Sequence, residues 1–99
     1  MGNIVITITW NSHPDNELVK SKLRKLAINN GLSPDTDPNY AYGNTHSDTC
    51  FIADISGIFL AWNREYQRSK IENFSKNALY ILKTMGVDNP HSIIEDLAM

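Results

Sequence analysis

A chain of 99 residues is one domain's worth of sequence, long enough to bury roughly two thirds of its unfolded surface. Its apolar fraction of 41% lies well above that of disordered chains, and no stretch approaches the ~20 apolar residues that a membrane span requires. A net charge of −2 and a pI near 5.8 exclude a grossly basic nucleic-acid binder and leave room only for a local basic patch.

The run from Asn3 to Trp10 alternates in β-branched residues, with Ile4, Ile6, Ile8 and Trp10 on one face and Val5, Thr7 and Thr9 on the other. Period-two alternation of this kind predicts a strand, and its Val and Thr face can also be half buried inside a sheet. The start has neither a basic n-region nor an apolar h-region, so no signal peptide is expected. Ile6 stands where a myristoylation motif needs Ser or Thr.

Asn11 to Asp15 is turn chemistry, and Pro14 suits the first turn of a helix, where its missing N–H is no loss. Asp15 and Glu17 place negative charge at the positive end of the helix dipole. That helix is predicted to run to about Asn30, with Leu18, Val19, Leu23, Leu26 and Ala27 along one stripe and Gly31 ending it. Ser33 to Asp48 is rich in breakers and reads as loop, with Tyr40-Ala41-Tyr42 as a short strand within it.

Thr49 to Ile55 predicts a second long strand, with Phe51, Ala53 and Ile55 facing one way and Cys50, Ile52 and Asp54 the other. The apolar run Ile58 to Trp62 fits either a strand folding back through Ser56-Gly57 or the first turns of a helix capped by Ser56, and the stripe of the following helix favours the strand. A helix follows from about Glu65 to Met85, ended by Gly86, with Ile71, Phe74, Ala78, Ile81, Leu82 and Met85 on its apolar face. Glu72 and Lys76 stand in the favourable i,i+4 order on its outer side. Asn89-Pro90 resembles an N-cap followed by a first-turn proline, so Ile93, Ile94 and Leu97 predict a short terminal helix. The whole describes a single α+β domain over residues 1–99, with a three- to four-stranded mixed or antiparallel sheet. Two main helices would pack on one face of that sheet, beside a short C-terminal helix.

Cys50 is the only cysteine, so no internal disulfide forms, which suits a reducing cytoplasm; the expectation is a soluble cytoplasmic domain. Asn73-Phe74-Ser75 matches a glycosylation sequon by chance, inside a helical segment.

His46, Asp48 and Cys50 fall on one face of an extended segment, Asp54 continues that parity, and His13 and Asp15 end the first strand. Imidazole, carboxylate and thiolate together can hold a transition metal, which makes His46, Asp48 and Cys50 weak metal candidates. No Cys-x-x-Cys spacing supports them, so no metal or cofactor is assigned. Cys50 with His46 as a base would make a thiol enzyme, yet Thr49 and Phe51 give Cys50 the setting of a small buried hydrophobe. Asp54 between Ala53 and Ile55 reads as a turn cap or an outward carboxylate. No nucleophile elbow, phosphate loop or dinucleotide fingerprint is present, and no catalytic residue is named.

Two patches remain. Lys20, Lys22, Arg24 and Lys25 crowd the solvent side of the first helix and, with Arg68, would suit a phosphate backbone. Trp62, Arg64, Tyr66 and Arg68 interleave aromatics with arginines, as protein-binding hot spots do, and Tyr40 and Tyr42 add to them. The leading expectation is a non-catalytic interaction module of the inhibitor, immunity, antitoxin or accessory type. It would bind a protein partner or itself through Trp62, Arg64, Tyr66, Tyr40 and Tyr42. Nucleic-acid binding through Lys20, Lys22, Arg24, Lys25 and Arg68 ranks second, and a small metal-dependent or thiol enzyme third. No membrane partner is expected. A homodimer would cover a sheet face or edge left open, with Val5, Thr7, Thr9, Cys50 or Ile52 the residues covered.

Overall fold

Six elements alternate along the chain in a computed structural model that describes residues 4–34, 49–55 and 63–96. Strand β1 spans Ile4–Thr9, helix α1 Asn16–Asn29, strand β2 Leu32–Pro34, strand β3 Cys50–Ile55, helix α2 Arg64–Thr84 and strand β4 His91–Asp96. The strands form one four-stranded sheet in the order β2-β3-β1-β4, and every pair is antiparallel. The chain is therefore of the α+β class its element pattern predicts.

β1 lies between β3 and β4, so both its edges are paired, and its side chains are buried on both faces save Thr9. Ile6 stands opposite Ala53 on one side and Ile94 on the other, and Ile8 opposite Phe51 and Ser92. Residues directly opposite share a face, so Ile4, Ile6, Ile8, Phe51, Ala53, Ile55 and Ile94 point together toward the helices. There they meet Val19, Leu23 and Ala27 of α1 and Ile71, Phe74, Ala78 and Leu82 of α2 in one buried core. At its centre the rings of Phe51 and Phe74 sit 6.3 Å apart and tilted by 41°.

Each helix is closed by its own sequence. The Asp15 carboxylate accepts the Leu18 N–H at 3.1 Å, so Asp15 caps α1 and Pro14 lies outside the helix rather than in its first turn. Asn63 caps α2 in the same way, accepting the Tyr66 N–H at 2.8 Å. At the other end of α2, the Gly86 N–H donates to Lys83 O and the Val87 N–H to Leu82 O, while Val87 packs into the core. This is a Schellman closure, and it needs a left-handed residue at Gly86, where φ is 76°. A Cβ there would touch nothing within 4 Å, so its whole penalty is backbone strain. Gly86→Ala should cost about 1 kcal/mol in urea unfolding. An unchanged midpoint would mean that the helix ends differently.

Two of these expectations change, and two fall outside the described residues. The segment after Asn89-Pro90 is not a helix but β4: Asn89 takes a left-handed φ of 52°, and the following residues pair along β1 from Thr9 to Ile4. The reason is non-local, because the ladder that β1 offers outweighs a local capping signal. Leu32–Pro34, read as a helix closure running into loop, forms β2 against β3. Pro34 ends that strand at the rim of the sheet, where its missing N–H is tolerated. The strands expected at Tyr40–Tyr42 and Ile58–Trp62 lie outside the described residues.

Candidate interaction surface

The second face of the sheet carries neither α1 nor α2, yet its centre on β1 and β3 is buried. Val5, Cys50 and Ile52 form a separate buried cluster, and Thr7 and Asp54 are buried with them. Asp54 stands opposite Val5 on one side and Ser33 on the other. The face that a homodimer was expected to cover is thus already buried within the chain.

The sheet's two outer strands differ sharply. β2 is three residues long and ends in Pro34, both of which blunt an edge. β4 has six residues, contains no proline or lysine, and among the described residues nothing pairs along its outer side. Its side chains alternate. Ser92, Ile94 and Asp96 face the helices, and His91, Ile93 and Glu95 the second face, in register with Thr9, Thr7 and Val5. Ile93 lies at the middle of this edge and is 55% exposed, although it is a large β-branched side chain.

Side-chain bonds tie α2 to β4. Asp96 receives both arginines from the first turns of α2, Arg64 Nη2 on Oδ1 and Arg68 Nη2 on Oδ2, the latter at 2.8 Å. Further along, the Ser75 and Ser92 hydroxyls hydrogen-bond at 2.7 Å. A strand held along its inner side presents its outer backbone groups in a fixed row, the condition under which strand pairing costs least entropy.

The residues named from sequence distribute as follows. Arg64 and Arg68 converge on Asp96 and clasp α2 to β4, while Tyr66, one turn into α2, is exposed on the helix's outer side. Trp62, Tyr40, Tyr42, His46 and Asp48 lie outside the described residues. Lys20, Lys22, Arg24 and Lys25 all belong to α1, but successive helical residues are about 100° apart. Lys20 and Arg24 therefore share one flank, Lys22 sits about 200° round from Lys20, and Lys25 points between them. Arg68 is on the other helix, bonded to β4.

His13 is taken up structurally. Its Nδ1 accepts the Asp15 N–H at 2.9 Å, so the ring proton sits on Nε2 and donates to the Met85 carbonyl at 3.0 Å. Both ring nitrogens are occupied. Cys50 is 6% exposed, and burial pushes its thiol above the ordinary value, with the charge of Lys20 pulling partly back. Cys50 thus has the buried setting of a small hydrophobe.

The sign of the pH effect follows. As pH rises through the ordinary thiol range, the unfolded chain loses its Cys50 proton before the folded chain does, so stability is full below that range and falls above it. Cys50→Ala should flatten this alkaline fall in stability. Identical slopes for the two proteins would show that the thiol is not held protonated by the fold.

Two local signals compete at β4, the helix start of Asn89-Pro90 and the alternation that follows it. His91, Ile93 and Glu95 against Ser92, Ile94 and Asp96 repeat with period two, and paired isoleucines favour a strand. No protein-family model matches the chain, and neither a curated protein nor a solved structure gives a significant match. Among the described residues, no helix is long and apolar enough to cross a membrane.

Proposed function

We propose that this protein is a non-catalytic interaction module that binds a polypeptide by adding a strand along β4. The observation that carries this reading is the exposed isoleucine, Ile93, at the centre of a six-residue outer strand that contains no proline or lysine. Main-chain hydrogen bonds supply affinity in this mode of recognition, and alternate side chains supply selectivity. Here the alternate side chains are His91, Ile93 and Glu95, an apolar centre between a base and an acid. The arginines once counted toward a binding patch serve it indirectly, since Arg64 and Arg68 hold Asp96 and hence the strand.

The test is site-specific photo-crosslinking in the cells that make the protein. A benzophenone amino acid replacing His91, at the rim of the edge, should yield a polypeptide adduct. The same group replacing Ile28, exposed on α1, should not. No adduct at His91, or equal adducts at both positions, would overturn the proposal.

A further inference from the structure

We infer that the polypeptide added along β4 is the β4 strand of a second copy of this chain, antiparallel and centred on Ile93. This rests on the reading of β4 as the binding edge and goes on to name its occupant.

Register selects the occupant. If two copies join into a continuous sheet about a twofold axis, opposed residues must point to the same face, so each β4 residue must oppose one of its own parity. Only registers centred on a residue meet this condition. Centring on Ser92 sets Ile93 against His91 and Ile94 against Pro90, leaving the exposed isoleucine with no apolar partner. Centring on Ile94 sets Ile93 against Glu95 and Ser92 against Asp96, the carboxylate already engaged by Arg64 and Arg68. Centring on Ile93 sets Ile93 against its own copy and His91 against Glu95, and the symmetry makes the second of these pairs twice.

That register is the self-complementary one. The most exposed apolar side chain of the strand closes over its own copy at the dyad, where β-branched pairs contribute most. An imidazole faces a carboxylate on each side of it, and both side chains lie on the second face with solvent access. Within one chain His91 and Glu95 are four strand residues apart, roughly 13 Å, too far to meet. The acid and base at the two ends of one strand find each other only across a dyad. The alternative site for self-association, the Val5, Cys50 and Ile52 face, is already buried inside each copy.

The experiment is sedimentation equilibrium of the purified full chain at about 0.15 M salt, with circular dichroism to confirm that each variant is folded. The wild type should sediment as a dimer at tens of micromolar. His91→Glu sets two carboxylates against two carboxylates and should weaken the dimer about tenfold; Glu95→Lys should weaken it in the same direction. The double variant His91→Glu/Glu95→Lys places opposite charges across the dyad again and should return to near wild-type strength. Ile93→Lys should sediment as a monomer. If Ile93→Lys fails to fold, the charge series still decides the question.

A wild-type monomer at 200 μM, or a dimer that ignores all four variants, overturns the inference. So does a double variant no stronger than the weaker single one. The two failures are separable. A monomer that still gives a polypeptide adduct at His91 in cells keeps the strand-addition reading and rejects only the second copy. A monomer with no adduct rejects both.

Discussion

Phe74→Ala should lower the stability of this protein by about 3–5 kcal/mol, the largest loss expected from any single side chain. Phe74 has no solvent exposure and lies where α2 meets the sheet, its ring against that of Phe51. Truncation removes the transfer free energy of the ring and leaves a cavity that Ile71, Ala78 and the sheet cannot close, since both flanking elements are fixed by the sheet and the caps. Native stabilities of small domains are about 5–15 kcal/mol, so this variant would melt tens of degrees lower or not fold at all. Phe74→Leu keeps most of the volume and should cost less than half as much. Urea unfolding with an unchanged m-value checks both. A loss below about 1 kcal/mol for Phe74→Ala would place the ring outside the core.

Asn16→Ala should be the second most damaging change, at about 2–3 kcal/mol, despite the position's lying at a helix start where alanine is otherwise welcome. The Asn16 Oδ1 accepts two hydrogen bonds, from Trp10 Nε1 at 3.0 Å and from the His13 N–H at 3.2 Å. Trp10 is only 5% exposed, so losing the acceptor leaves its indole N–H short of a partner in a largely buried setting. The same junction is tied to the end of α2 through His13 and Met85, and to the turn before β4 through the Asn11 N–H on Asp88 O. Asn16→Asp keeps the acceptor and adds a negative charge in the first turn, so it should match the wild type or exceed it slightly. Equal losses for the two variants would mean that the side chain's shape, not its oxygen, holds the junction.

These two sites stand differently toward the sequence. Phe74 is legible from the helical stripe it shares with Ile71 and Ala78, since any helix with that period must bury that face. Asn16 is not. It reads as one more polar residue after a turn, and only the return of β1 into α1 brings Trp10 six residues back onto its oxygen. Ser75 and Gln67 are similar cases, polar residues buried on α2 that no period singles out.

The surface shows the same division. Tyr66, Lys22 and Lys25 are exposed, as charge and amphipathicity require, while Lys20 is half-buried. Arg64 and Arg68 carry no sequence mark that distinguishes a clasp from a binding patch. Their partner, Asp96, is 28 residues from Arg68 and meets it only when β4 lies beside β1.

The sequence by itself determined the long elements β1, α1, β3 and α2, most of their inward faces (Leu18, read into the α1 stripe, is exposed), the glycines that stop the helices and the α+β class. Each of these follows from a pattern shorter than the element that carries it: two-residue alternation, a 3.6-residue stripe, or one left-handed residue. Tertiary structure alone decided the strand order, the burial of the second face and the conversion of His91–Asp96 from an expected helix to an edge strand. A six-residue segment has no stable conformation of its own, and it took the form for which β1 had an open row of hydrogen-bonding groups.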